Sequence, residues 1–284
     1  CPHWQEHRWR IMGENLTPAF ICFKWGAGYP CIYTNILFRA LSDLMTTPFR
    51  FICLTDDPRG LAPGIETQPI PPFRMDQTDW QKGMWPKLCA FAPGITPHGT
   101  PVIMMDVDVV VLRDLTPLID HLRKQGGLHI IREIPDTLPR LFPSIFGKPL
   151  LSNSSVVGFI SGTQDHLFDM FADKTYDDLR AIGNDQNFIH HNAKDRHSWP
   201  TSWVLSFKKD LVFHFPVNLL RPIKRPEDSY IVMFHGTPNP EDMTKTPFKR
   251  WGTPEKFGFF PVKWIKNYWE RYSRDTDRQP PSFV

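Results

Sequence analysis

The stretch VIMMDVDVVVL, residues 102–112, decides how this chain is read. Val102–Met105 is a continuous apolar run, the mark of a strand buried on both faces, as in a parallel α/β sheet. Apolar residues resume at Val109, but Asp106 and Asp108 interrupt them. A buried carboxylate without a partner costs on the order of several kcal/mol, and two side by side repel. A positive group is therefore expected against the pair, yet no Lys or Arg follows in sequence until Arg113. If the strand runs on through them, alternation puts Asp106 and Asp108 on one side and Val107 on the other. Two carboxylates at the carboxyl end of a central strand suit a hard divalent cation, Mg²⁺ or Mn²⁺. Such an ion binds a diphosphate and stabilises it as a leaving group. A pair of strand-end aspartates that only cap the next segment gives the same short pattern.

Upstream of this stretch, Phe20–Lys24 (FICFK) reads as a buried strand followed by the turn WGAGYP. From Pro30 onward, Ile32, Ile36, Leu37, Ala40, Leu41 and Leu44 recur at helical spacing behind a proline. Phe49–Leu54 is a second strand stopped by TDDPRG, Ile65–Ile70 a third, and Trp85–Ala92 a short helix. This alternation predicts a doubly wound α/β sheet with its ligand at the carboxyl ends of the strands. Downstream the pattern loosens. Leu128–Arg132, Val156–Ser161 and Ile231–Phe234 read as strands, and Asp165–Lys174 and Asp185–Asn192 as short helices. No repeat, low-complexity tract or linker divides the chain. Residues 1–284 therefore read as a single domain, with a nucleotide-binding half over about 15–112, an acceptor and metal half over 113–250, and an aromatic-basic tail over 255–284.

Composition excludes several classes. With 41% hydrophobic and 22% charged residues in 284, the chain resembles an ordinary globular protein. A net charge of +3 does not argue for nucleic acid, and 29 prolines predict long ordered loops. The five cysteines form no CxxC and no Cys/His cluster, so there is no zinc signal, and their pattern suits a reducing compartment. No apolar stretch reaches the roughly 18–20 residues needed to span a bilayer. The expected location is cytoplasmic.

Further polar clusters accompany the aspartates. His235 ends the strand IVMF and could supply a nitrogen ligand to the same cation, while Gly236 after it lets backbone approach a phosphate. A histidine bonded within a loop is the plainer alternative among 11 in the chain. In GNDQNF, Asp185 is either a helix N-cap or a ligand contact, and Gln186 can both donate to and accept from sugar hydroxyls. Ser152–Ser155 (SNSS) is either a turn or a rack of groups facing a sugar. In KWGAGY, Gly26 and Gly28 permit a tight turn near a nucleotide, and an aromatic there can stack on a base. The loop is neither GxGxxG nor a P-loop. Lys87, in WPK, could neutralise a phosphate.

Taken in order, FKWGAGY, TDD, WPKL, MMDVDVVVLRDLTPL, SNSSVVGF, NDQNF and FHGTPNP span residues 20 to 240. Together they resemble nucleotide-sugar glycosyltransferases of the GT-A fold, most closely family 8, the glycogenin and lipopolysaccharide galactosyltransferase group. The resemblance implies a Rossmann-like, mostly parallel central sheet flanked by helices, with an irregular C-terminal half. It implies that Asp106, Asp108 and His235 hold Mn²⁺ or Mg²⁺ against the diphosphate of a UDP-sugar. It places Lys24, Trp25, Gly26, Tyr29, Thr55, Asp56 and Asp57 around the nucleotide. Lys87, Asp106, Val107, Asn153, Ser154 and Gly236 complete the implied donor and acceptor surface, and Asp185 and Gln186 lie beside the anomeric carbon. The group retains anomeric configuration. Here Asn239 stands where it usually carries a lysine, and Lys245 or Lys249 is the expected substitute.

The implied reaction transfers a hexose from a UDP-sugar to a glycan or glycolipid acceptor with retention. Three rivals share the features. One is an inverting transferase using Asp185 as base, another a non-catalytic nucleotide-sugar-binding module, the third a nucleotidyltransferase. The segment 259–272 (FFPVKWIKNYWERY) mixes aromatics with Lys263, Lys266 and Arg271. It is expected to dock on the domain, with peripheral contact at the inner face of a membrane as the alternative.

Overall fold

The computed structural model describes residues 16–133, 152–244, 250–253 and 256–274. The chain enters through β1 (Ala19–Lys24), α1 (Cys31–Leu44), β2 (Arg50–Thr55) and β3 (Glu66–Gln68). Two 3₁₀ segments, Gln77–Lys82 and Trp85–Phe91, lead to β4 (Pro101–Met105) and β5 (Val110–Val111). Next come α2 (Thr116–Gln125), β6 (Leu128–Arg132), β7 (Ser152–Ile160), α3 (His166–Ala172) and α4 (Asp185–Asn192). The chain continues through β8 (Arg196–Ser198), β9 (Val204–Ser206), β10 (Ile231–Met233) and α5 (Lys263–Ser273).

The main sheet has the order β3-β2-β1-β4-β7-β6-β8. All of its pairings are parallel except the two made by β7, which runs against both β4 and β6. The mostly parallel sheet implied above is present. Continuous apolar strands follow from burial on both faces. Ile21, Ile52 and Met104 pack under Trp85, Leu88, Phe171 and Phe188. Phe20, Cys22, Phe51, Cys53, Ile103 and Met105 face Leu37 and Leu41 of α1 and Leu118 and Ile119 of α2.

Two expectations need correction. The run 102–112 is not one strand. β4 stops at Met105, and β5 belongs to a second sheet of order β5-β10-β9. Asp106–Val109 is the crossing between the sheets, so strict alternation does not hold there, and Val107 lines the same cavity as the two aspartates. SNSS is not a turn. β7 begins at Ser152, and Ser152 and Asn153 pair with Arg132 and Ile131 of β6. The ladder satisfies the backbone, and the polar side chains find buried partners, so the strand tolerates them.

The C-terminal helix docks as expected. The Trp269 ring lies 4.7 Å from Tyr33 of α1, and the Tyr272 hydroxyl donates to Asp43 at 2.7 Å. The Trp264 indole donates to the Ile223 carbonyl at 3.2 Å. Among the described residues, no helix is long and apolar enough to cross a membrane.

Candidate active site

A cavity of about 400 Å³ opens at the carboxyl ends of β1 and β4. The loop after β1 supplies Lys24, Trp25, Gly28 and Tyr29, and the β4–β5 crossing supplies Asp106, Val107 and Asp108. Asn153 and Ser155 enter from the start of β7, Asp185 and Gln186 from the first turn of α4, and His235 and Gly236 from the end of β10. Because β7 runs against β4, its first residues reach the same edge as the last residues of β4.

The positive group demanded by the aspartates is Lys87. Its side chain is buried, with Nζ 2.7 Å from Asp106 Oδ1 and 3.5 Å from Asp185 Oδ2. It also donates to Ser154 Oγ at 2.9 Å, and Ser154 donates to Asp185 Oδ2 at 2.6 Å. Burial opposes the Lys87 charge, but Asp106 and Asp185 outweigh it and hold the ammonium above its ordinary pKa. The positive group expected against the pair is thus present, supplied by a residue distant from the 102–113 stretch in sequence. Arg113, the nearest in sequence, lies over the Tyr230 ring instead.

One lysine does not balance three carboxylates. Asp108 is not paired to the lysine; it accepts from the Tyr29 hydroxyl at 2.8 Å and from a backbone N–H. Burial, then the charge of Asp106, pushes the Asp108 carboxyl up to about 7. Burial also raises Asp185 against the pull of Lys87. Asp185 Oδ1 and Gln186 Oε1 are buried and have no hydrogen-bond partner. The helix cap explains this availability. Asn184, not Asp185, caps α4 by accepting from the Asn187 N–H at 2.9 Å, which leaves Asp185 turned to the cavity.

His235 enters the cavity from the end of β10. Its Nδ1 is 3.4 Å from Ser206 Oγ, and burial lowers its pKa. It shares the cavity with Asp106 and Asp108. Among the described residues, no three His, Cys, Asp or Glu side chains are grouped closely enough to hold a metal. Gly236 has φ +66° and open space where a Cβ would point.

Other expected residues sit behind the wall. Thr55, Asp56 and Asp57 do not line the cavity but brace the loop that does. Asp56 Oδ2 accepts the Gly26 N–H at 3.0 Å, and Lys24 Nζ donates to the Asp57 carbonyl at 3.1 Å. Thr55 Oγ1 donates to the same carbonyl at 3.0 Å, and the Asp57 carboxylate pairs with Arg59. Ser154 is fully buried and bridges Lys87 to Asp185. Gln81, in the first 3₁₀ segment, and Met84, in the turn just before the second, line the cavity without any sequence signal. Phe23 and Phe234 also line it and read in sequence as ordinary strand residues, and Ser155 lines it from the SNSS segment. Lys245 and Lys249 lie outside the described residues.

No family model and no curated protein matches the sequence. Solved structures do match the fold. The galactosyltransferase LgtC, crystallised with donor and acceptor sugar analogues, superposes with a TM-score of 0.52 at 12% identity, covering 93% of this chain and 98% of LgtC. The bifunctional glycosyltransferase WbbM gives 0.54 at 10% identity, covering 93% of this chain and 50% of WbbM. The glycosyltransferase GlyE of Streptococcus pneumoniae TIGR4 gives 0.52 at 13% identity, covering 92% of this chain and 62% of GlyE. The fold is thus the GT-A fold of these glycosyltransferases, as the motif order implied.

Proposed function

We propose that this protein is a metal-dependent glycosyltransferase that moves a hexose from a UDP-sugar to a glycan or glycolipid acceptor with retention of configuration. One observation carries the reading. A cavity at the ligand edge of a GT-A sheet holds three carboxylates, and of its two lysines Lys87 pairs with Asp106 and Asp185 while Lys24 is drawn to the Asp57 carbonyl. That surplus fits a bound cation. Mg²⁺-type ions commonly take one or two protein carboxylates and complete their shell with substrate phosphates and water, so a third protein ligand is not required. Asp106 and Asp108 would hold Mn²⁺ or Mg²⁺, with His235 in the same cavity as the further candidate ligand, and the ion would supply Lewis-acid stabilisation of the departing diphosphate.

The chain's own groups do the rest. Lys87 fixes Asp106 and Asp185 in place, and the Tyr29 hydroxyl fixes Asp108. Gln186 brings an unpartnered carbonyl oxygen to the cavity, suited to positive charge developing at an anomeric carbon. LgtC has been crystallised as an active-site glutamine-to-glutamate mutant, which supports a catalytic glutamine in this fold. Lys24, Trp25 and Tyr29 offer charge and ring faces to the nucleotide, and Gly236 allows close approach of backbone to a phosphate. Asp185 has one oxygen committed to Ser154 and Lys87. This supports an electrostatic role over that of an inverting base, and with it retention.

The test is incubation with Mn²⁺ and a panel of UDP-sugars, reading release of UDP. Release with one donor, abolished by chelation and by Asp106→Asn, is expected. Absence of release together with absence of calorimetric heat for UDP and Mn²⁺ would overturn the reading. Turnover of a sugar phosphate with UTP would move the protein to the nucleotidyltransferases, and NMR of the product's anomeric proton decides retention.

A further inference from the structure

Among the described residues six large apolar side chains are left in solvent: Met84 is at the cavity and Met170 on α3, and the other four come from residues 213–217 and 260. Phe213, Phe215 and Val217 alternate along one exposed run and are 43%, 56% and 42% exposed, and Phe260 is 62% exposed. Phe215 stacks on Phe257 at 5.8 Å, which ties the run to the ribbon formed by Trp251–Gly252 and Phe257–Gly258. Beneath lies a rigid base. Trp251 donates to the Phe260 carbonyl at 2.9 Å and packs on Phe207, which stacks on Phe234 at 4.7 Å.

Cations frame these rings. Arg221 lies over Phe213 at 5.3 Å and Arg250 over Phe257 at 4.6 Å. Lys256 reaches the Lys208 carbonyl at 2.8 Å. The stretch 213–225 (FHFPVNLLRPIKR) carries three cations and no carboxylate, and 256–263 (KFGFFPVK) carries two and none. Rings that enter the headgroup region, flanked by long basic side chains at its surface, match an anionic bilayer in both apolar area and charge.

We propose that this patch, centred on Phe213, Phe215 and Val217 with Arg221, Arg250 and Lys256 at its rim, docks the protein on anionic lipid membranes. The contact does not use the aromatic face of α5, which is committed to the domain, and it does not depend on the transferase reading.

Cosedimentation of the full chain with phosphatidylcholine vesicles, and with an equal mixture of phosphatidylcholine and phosphatidylglycerol, tests it. Binding to the mixed vesicles, weak binding to the neutral ones and release by high salt are expected. The double variant Phe213→Ser/Phe215→Ser should lose about tenfold or more in partitioning per ring. Arg221→Glu, on an exposed side chain, should lose roughly fivefold or more, whatever happens to the phenylalanine variant. The proposal is overturned if the mixed vesicles fail to bring the protein down, or if both variants, folded by circular dichroism, bind as tightly as the parent. It is equally overturned if light scattering shows a dimer that the phenylalanine variant dissociates, since the patch would then join two copies of the chain.

Discussion

Two clusters of buried ionisable groups sit on the same sheet and behave in opposite ways. At the cavity, Asp106, Asp108 and Asp185 crowd around Lys87, negative charge is left over, and two oxygens are unpartnered. At the β6–β8 edge, the His129 ring meets His121 edge-on at 5.0 Å and stacks on His197 at 5.1 Å, beside Trp199 and Trp203. There His129 donates to the Gly126 carbonyl at 2.8 Å, and burial lowers its pKa to about 4, so this ring answers its burial by staying neutral. Burial of titratable groups is common to both. What distinguishes the candidate active site is charge that the fold has not balanced, exposed to a cavity. That contrast is why the carboxylates, and not the imidazoles, are assigned to a ligand.

The strongest way to break the comparison is to remove the one cation that holds the acidic cluster. Lys87→Met leaves carboxylates buried without their partner, and should cost about 3–5 kcal/mol in urea unfolding at neutral pH. A cost below about 1 kcal/mol would mean that water already screens the cluster. The acids should respond differently. Asp106→Asn and Asp108→Asn should each lower the rate of metal-dependent transfer by about 10²–10³-fold, the range for loss of a main electrostatic contribution. Asp108→Asn should also make the cation-free protein more stable, because it removes a buried, poorly paired charge. A variant less stable than the parent at pH 8 would show that the Tyr29 hydrogen bond outweighs the burial penalty.

Cation binding sharpens the same point through pH. Asp108 must lose its proton to ligate, and its carboxyl is pushed up to about 7. Mn²⁺ affinity measured by calorimetry should therefore fall by about tenfold per pH unit below 7 and level off above it. An affinity flat from pH 6 to 8 would place the ion away from Asp108.

Much of this arrangement is legible before folding. The apolar runs of β1 and β4, the proline-led stripe of α1 and the limits of α4 follow from local pattern, because burial on two faces or one stripe leaves a periodic trace. Asp106 and Asp108 stand out because carboxylates inside such a run demand an explanation. Lys87 does not, since nothing local separates a buried lysine from a solvated one. Its role exists only once Trp85–Phe91 packs over the sheet. SNSS leaves a turn and a ligand-facing rack both open in the sequence, because its polarity is visible and its buried partners on other elements are not. The split of 102–112 between two sheets is likewise set by pairing with β10, more than a hundred residues later.

The smallest effect is the most discriminating, because the two clusters should tilt stability in opposite directions over one pH window. Asp108 has a folded pKa of about 7, above its unfolded value, so the folded state holds a proton that the unfolded state releases. Its contribution is fully present below the unfolded carboxylate range and is lost as pH rises through 7. His129 has a folded pKa of about 4, below its unfolded value, so the unfolded state takes the proton first. Its contribution is fully present above about 6.5 and is lost as pH falls toward 4. In the parent the two slopes partly cancel. Asp108→Asn should unmask the loss on acidification, making unfolding free energy fall more steeply from pH 6.5 to 4.5. His129→Gln, which retains a donor toward Gly126, should flatten it by about 1 kcal/mol after solvent screening. If both variants shift the slope in the same direction, the distinction between a balanced and an unbalanced cluster fails.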